Sequence, residues 1–456
     1  CHELTVHDNY RSSMRWRASD LARALSEHGP CRVVGPDVEI DGASFDSRDL
    51  RSGQMFVAVA AERDGHDFVR DAVDAGAAAC LVSRELATDL AGRTTSIVVP
   101  DTSVALMDSA RWARGRFPAS TMAVGITGSV GKTSTKDMVA SAVSLSRRTV
   151  ASPRSYNNEQ GLPVTILNAP VDTEVLVLEM GMRGFGQIDL LCRIARPAIG
   201  VVTRVGEAHT AKVGGLDGVA QAKGELVEAL PSFGAAVLNA DDPRVLAMRS
   251  RTNARVVTFG ESTQADVRID NLELGRHGEA RFLASTPDGV VEVRLAIPGR
   301  HMASNAAAAI ATGMVLGVPL EAMSDGLAQA SLSPHRMKIV QSASGATIVD
   351  DSYNANPTSM QAALETLAGL PAARRVAVLG IMAELDDEVV AHARIASLAT
   401  ELGIEVVAVG TDKYGIPETT FDEAVDIVTN MDGSTAVLVK GSRVAGLDRL
   451  IERVSC

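Results

Sequence analysis

The chain has 456 residues, which at roughly 150 per domain predicts about three domains, and 46% apolar with 22% charged residues is ordinary globular composition. Lysine and arginine total 44 against 56 acidic residues, a net of -12, and aromatics are 3%; both numbers argue against a nucleic-acid backbone surface or a base-stacking platform. The five cysteines are scattered and form no C-x-x-C pair, so neither a disulfide framework nor a thiolate zinc site is expected, and a reducing, cytoplasmic compartment fits.

Residues 1–13 read as a possible N-terminal extension, because Met14 opens the first convincing segment. Arg11, Arg15, Arg17 and Asp20 interrupt the opening stretch, and it has no apolar core of signal-peptide length. Residues 14–118 alternate short apolar runs (V-E-I-D-G-A-S-F-D-S-R, M-F-V-A-V-A, A-C-L-V-S) with helical patterns, which predicts a small α/β domain. Arg116-Phe117-Pro118 closes it, since the residue before proline is pushed out of the helical region. Residues 119–332 repeat strand, loop and helix. M-A-V-G-I-T, E-V-L-V-L-E-M and A-I-G-V-V-T are near-continuous Val/Ile/Leu runs, the pattern of a parallel sheet covered on both faces. The Ala-rich stretch Ala303–Leu320 is too polar to span a membrane and reads as a buried helix. Residues 333–456 form a third α/β block, with A-T-I-V-D-D, R-R-V-A-V-L-G, E-V-V-A-V-G and A-V-L-V-K-G as strands. The expected fold is therefore three α/β domains, the second and third doubly wound.

The strongest chemical signal is Thr127-Gly128-Ser129-Val130-Gly131-Lys132-Thr133, with Ser134 following, between a predicted strand and a predicted helix. Glycines let successive N–H groups turn toward one anion, and a helix N-terminus adds positive potential. Lys132 can reach the outer phosphates of a nucleotide and Thr133 can ligate Mg²⁺. Ile126 stands where the general P-loop pattern has its first glycine.

This shortened loop resembles that of the Mur ligases, the ATP-dependent amide-forming enzymes of peptidoglycan assembly. Asp46-Ser47-Arg48, Asp64-Gly65-His66-Asp67-Phe68, Tyr156-Asn157-Asn158-Glu159, Glu179-Met180-Gly181, Val205-Gly206-Glu207-Ala208-His209 and Ala222-Lys223-Gly224-Glu225 are similar to further motifs of that family, in the same order. Asp350-Asp351-Ser352-Tyr353-Asn354-Ala355-Asn356-Pro357 resembles its MurF branch, the one that adds D-alanyl-D-alanine to a UDP-linked muramoyl tripeptide.

The resemblance implies a three-domain architecture. Residues 14–118 would bind the UDP substrate, 119–332 would form the central P-loop domain for ATP, and 333–456 would complete the ATP and dipeptide sites. It implies ATP, two Mg²⁺ ions and an acyl-phosphate route, hence roles in cell-wall biogenesis, cell shape and cell division. Lys132, Glu179, His209 and Lys223 would be catalytic. Thr133, Glu179, His209 and Lys223 would hold metal, Lys223 as a carbamate, because a bare ammonium beside a cation is unfavourable. Gly128 to Ser134, Asn305, Arg336 and Asp351 would bind ATP. Ser47, Arg48, His66, Asn157, Asn158, Tyr353, Asn354 and Asn356 would bind the two substrates, with Pro357 beside them. No nucleic acid, no membrane insertion and a monomeric chain are expected. His301 lies one turn before Asn305, and Lys440-Gly441-Ser442-Arg443 matches the family's last strand-loop with no role assigned.

Arg204, Met302, Ile381 and His335-Arg336-Met337-Lys338 depart from the family's usual residues. Two alternatives stand beside this reading, a Mur ligase that adds a single amino acid and a non-catalytic nucleotide-binding paralogue. The Y-N-A-N-P segment favours the dipeptide branch over the first. The joint presence of Lys132, Thr133, Glu179, His209 and Lys223 argues against the second.

Overall fold

The computed structural model describes residues 13–207 and 210–455, and the chain is α/β. It forms two compact units. One gathers the chain up to Gly125 with Arg148–Met180 and Asp189–Ala198; the other gathers Ile126–Arg147, Gly181–Ile188 and everything from Ile199 on.

In the first unit, strands Ala43–Ser44, Met55–Val57, Ala79–Val82 and Thr95–Val98 run parallel, and Arg32–Val34 closes the far edge antiparallel. Phe56, Cys80 and Val82 pack with Val69, Ala72 and Val73 of the helix Val69–Asp74. That core is why the short apolar runs of this region read as buried strands. Asn168, the last residue of the helix Gly161–Asn168, fastens to the edge strand at both ends of its amide. Its Oδ1 accepts from Ala43 N–H (3.1 Å) and its Nδ2 donates to Ala43 O (2.8 Å). Strands Thr149–Ala151 and Val175–Glu179 add a further parallel pair.

The second unit holds two sheets. In one, Ile199–Val202, Ala235–Asn239, Arg255–Gly260 and Val267–Leu274 are parallel. Glu279–Thr286 and Gly289–Pro298 then continue antiparallel. The expected parallel sheet is present, and this antiparallel meander extends it beyond the strands read from the sequence. Its strands alternate buried and exposed residues, and the turn Pro287-Asp288-Gly289 reverses the chain without a helix. The Ala-rich segment is the helix His301–Val315, buried along most of its length. The other sheet orders Lys338–Gln341, Thr347–Asp350, Thr435–Lys440, Arg374–Leu379, Glu405–Val409 and Glu418–Thr419, with all neighbours parallel except the first pair. Ile348, Val376, Val378, Val437 and Val439 form its apolar face against Ala424, Val428 and Leu450.

Candidate active site

The phosphate loop joins the strand Met122–Thr127 to the helix Lys132–Ser144. Gly128 has φ 154°, and a Cβ there would lie 1.9 Å from Thr203 Oγ1, so only glycine fits. Gly131 caps the helix at φ 80°, with Asn305 Oδ1 2.7 Å from where its Cβ would be. The neighbouring chain fixes the loop from outside. Thr203 Oγ1 donates to Val130 O (2.6 Å), Ser129 N–H to Arg204 O (2.7 Å), and Ser129 Oγ exchanges bonds with the Gly206 backbone (2.9 Å each). Thr203 was not singled out from the sequence, and its position at the end of the Ile199–Val202 strand was the one available signal. Lys132 Nζ folds back to donate to Gly128 O (2.8 Å), over the concavity an anion would enter. Thr133 and Ser134 are buried in the first helical turn. Asn305 is buried, accepting from Thr135 Oγ1 (3.2 Å) and donating to Met302 Sδ (3.5 Å), so the Met302 departure supplies a sulfur acceptor where an amide is usual.

Two other predicted residues of this unit, Arg336 and Lys223, lie against the loop, and Asp351 lies farther along the chain. Arg336 Nη2 donates to Thr133 Oγ1 (3.3 Å), and its guanidinium lies 4.2 Å over the Tyr353 ring. Lys223, in the helix Gly215–Glu228, is fully buried. Burial, and then the charge of Lys132, hold its amine well below the usual lysine range. Asp351 is buried and accepts from Lys440 Nζ and from Met337 N–H (3.3 Å). Lys440 Nζ also donates to Asn354 O (2.9 Å), which gives that lysine a concrete task in shaping the Y-N-A-N-P loop. Asn356 caps the helix Pro357–Gly369 in a reciprocal capping box with Ser359. His301 begins its helix, and burial lowers its imidazole while Asp351 opposes that shift.

In the first unit, Glu179 ends its strand fully buried; Asn157 Nδ2 donates to its Oε1 (2.8 Å) and Ser152 Oγ accepts from its N–H (3.2 Å). Asn158 Oδ1 accepts from Gly161 N–H (2.9 Å) and so starts the next helix. Arg48 is exposed and grips Asp46 through its backbone N–H, Nε and Nη2 (3.0, 2.9 and 2.6 Å), around the half-buried Ser47. Those side-chain bonds hold the Asp46 carboxyl below the usual range. His66 uses both ring nitrogens internally. Nε2 accepts from Ser83 N–H (2.9 Å), which assigns the proton to Nδ1, facing Asp64 (2.6 Å). The His66 N–H and ring bring Asp64 down to about 2. A cleft of about 420 Å³ opens beside them, bordered by His66, Arg70, Arg84 and Leu86.

His209 lies outside the described residues. Among the described residues no cluster of three or more His, Cys, Asp and Glu side chains is preassembled for a metal. The buried Thr133 hydroxyl and Glu179 carboxylate are nonetheless hard oxygen donors of the kind Mg²⁺ selects.

Sequence models of two domains match this chain, the Mur ligase middle domain over residues 126–313 and the Mur ligase, glutamate ligase domain over residues 335–443. These define its class. A UDP-N-acetylmuramoyl-tripeptide–D-alanyl-D-alanine ligase of Escherichia coli is 37% identical, over 92% of this chain and 94% of the relative. That of Mycobacterium tuberculosis is also 37% identical, over 90% and 92%. The crystal structure of MurF from Acinetobacter baumannii superposes with a TM-score of 0.84 at 31% identity, covering 97% of this chain and 99% of that one. The chain therefore belongs to the Mur ligases, in the family of UDP-N-acetylmuramoyl-tripeptide–D-alanyl-D-alanine ligases.

Proposed function

We propose that this chain joins D-alanyl-D-alanine to the terminal carboxylate of a UDP-N-acetylmuramoyl-tripeptide, with ATP cleaved to ADP and phosphate, in peptidoglycan synthesis. The observation that carries the reading is the convergence of Arg336, Lys132 and Lys223 on a glycine loop built for an anion. A carboxylate is a poor electrophile. One of its oxygens must first attack the γ-phosphorus and release ADP. The dipeptide nitrogen then attacks the acyl carbon, phosphate leaves, and the nitrogen loses a proton. Both steps build charge on phosphate oxygens, so positioned donors matter more than covalent help. The loop N–H groups, Lys132 and Arg336 supply them. A MurF structure from Thermotoga maritima, 29% identical over 90% of this chain with a TM-score of 0.76, is a complex with ADP.

Thr133, Glu179, His209 and a carbamylated Lys223 would hold Mg²⁺, which when bound neutralises phosphate charge. Lys223 suits the modification: a neutral amine is the form that adds carbon dioxide, losing a proton to become an anionic carbamate. Asn305 would contact the adenine, Asp351 the ribose, and Tyr353, Asn354 and Asn356 the dipeptide. Ser47, Arg48 and the His66 segment would bind UDP, while Asn157 and Asn158 orient the sugar and peptide. His66, with both nitrogens engaged, would serve by holding the backbone shape. The assignment to domains at 14–118, 119–332 and 333–456, a monomeric state and a cytoplasmic location complete the reading. No described helix is long and apolar enough to cross a membrane.

The test is phosphate release with UDP-muramoyl tripeptide, ATP and D-alanyl-D-alanine, followed by mass analysis. The expected product is extended by two alanines. Extension by one residue, or ATP turnover independent of the dipeptide, would overturn the proposal.

A further inference from the structure

Three loops leave the carboxyl ends of parallel strands in the last sheet and are laced together. Gly380 N–H donates to Lys440 O (2.9 Å) and Ser442 N–H to Ile381 O (2.9 Å). Ala383 N–H donates to Ser442 Oγ (2.9 Å), whose hydroxyl donates to Ala355 O (3.2 Å) in the Y-N-A-N-P loop. Two side chains hold the Gly380–Ala383 turn from behind. Tyr414 O–H donates to Gly380 O (2.8 Å), and His392 Nε2 accepts from Met382 N–H (2.9 Å).

His392 lies in the helix Glu388–Glu401 with no exposed surface. Its Nδ1 lies 2.5 Å from Glu388 O, the carbonyl one turn earlier, so Nδ1 carries the proton and Nε2 is left as an acceptor. The Tyr414 ring meets it edge-on at 4.8 Å. Nearby charges are engaged elsewhere. Glu388 pairs with Lys413, Glu384 with Arg183 (3.7 Å) and Arg394 with Glu207 (2.6 Å). On the packed neighbours, Glu365 accepts from Gln361 and Glu405 pairs with Arg374.

We propose that His392 is a positioning residue for the dipeptide acceptor: its neutral imidazole fixes the Gly380–Ala383 turn, and through Ser442 that turn fixes the Tyr353–Pro357 loop. The assignment rests on the reading of that loop given under Proposed function. Protonation would place a hydrogen on Nε2 facing the Met382 N–H, two donors with no acceptor, and release the turn. Burial holds the imidazole below its ordinary value, against the opposing bond to Glu388 O. A folded value below the unfolded one means that the contribution is present above about pH 6.5 and is lost as pH falls through the folded value.

Steady-state kinetics from pH 5 to 8 on the full chain, on His392→Gln and on His392→Leu decide the matter. Gln keeps an acceptor near Nε2 but does not titrate; Leu removes it. Protonation of the dipeptide's own amine raises its KM in acid in every variant, so the readout is the ratio of wild-type to His392→Gln KM for D-alanyl-D-alanine, which is expected to rise as pH falls. His392→Leu should raise that KM at pH 8 by about tenfold with the KM for ATP within about twofold. His392→Gln should stay within about threefold of the wild type at pH 8 and keep only the acid rise that substrate protonation imposes. Equal changes in both KM values, no change in the dipeptide KM of His392→Leu, or a wild-type-to-His392→Gln ratio of dipeptide KM that stays constant from pH 8 to 5 would overturn the assignment of His392 alone. Should His392→Leu fail to fold, the pH profiles of the other two decide. A wild type that forms no dipeptide-extended product would overturn the ligase reading and this assignment with it.

Discussion

The phosphate loop and the plate of loops around Tyr353 belong to the same compact unit, yet they are built by opposite means. The first is a local device: Gly128, Gly131 and one helix N-terminus aim backbone N–H groups within a few consecutive residues. The second is assembled from three stretches far apart in the chain, Asp351–Pro357, Gly380–Ala383 and Lys440–Ser442. Buried side chains hold it by bonding to backbone atoms of another stretch. A cradle for triphosphate needs donors in a tight arc, which a short glycine segment provides. A platform for a dipeptide needs area, and area at a sheet edge comes from neighbouring strands.

Substitution of Lys440 should separate the two most sharply. Lys440 is buried between the Asp351 carboxylate and Asn354 O, so Lys440→Met leaves a buried carboxylate and a carbonyl without their cation. We expect about 3–5 kcal/mol of destabilisation. In whatever fraction stays folded, the KM for D-alanyl-D-alanine should rise further than the KM for ATP. Denaturant unfolding and two-substrate kinetics measure both. The contrast fails if Lys440→Met costs under about 1 kcal/mol, the figure for an exposed pair.

Gly128→Ala attacks the other construction and is expected to cost somewhat less, about 2–3 kcal/mol. Its methyl would meet Thr203 Oγ1, which holds Val130 O, so loop and neighbouring strand end would move together. Calorimetric ADP affinity should fall by at least about tenfold with the KM for the dipeptide little changed. Unaltered ADP affinity would mean that the loop adapts, and would remove the claim that Gly128 and its contact with Thr203 fix the loop's shape.

The difference in construction also explains what could be read from the chain beforehand. The phosphate loop was legible because its function is written in consecutive residues, and the strands around it because buried parallel strands are continuous apolar runs. The sheet Thr347–Asp350, Arg374–Leu379, Glu405–Val409 and Thr435–Lys440 was legible for the same reason. The antiparallel meander Val267–Pro298 was missed, since its half-exposed strands alternate polar and apolar residues and lack that continuity. Thr203, Lys440, Ser442 and His392 were either overlooked or left without a role. Each acts on a partner at least ten residues away, and no local spacing encodes such a bond. Arg336, Asp351 and Lys223 could be named only through resemblance to a family, because nothing in the residues around them announces a nucleotide.

Side-chain bonds should decide structure only where water is excluded, and Arg394 tests that limit. Its guanidinium makes a 2.6 Å contact with Glu207, tying the helix Glu388–Glu401 to the turn after the strand Ile199–Val202, as Lys440 ties its loops together. Yet both partners are roughly half exposed, 55% and 41% of the side-chain surface. In water the Coulomb gain is small and long side chains lose rotamer freedom on pairing, so Arg394→Gln should cost less than about 1 kcal/mol. Raising salt from about 0.1 M to 1 M, where the screening length drops from about 10 to 3 Å, should erase even that. Denaturant unfolding of wild type and variant at the two salt concentrations makes the measurement. A loss of several kcal/mol that survives 1 M salt would show that exposed bridges also carry the architecture, and burial would cease to be what distinguishes the Tyr353 plate.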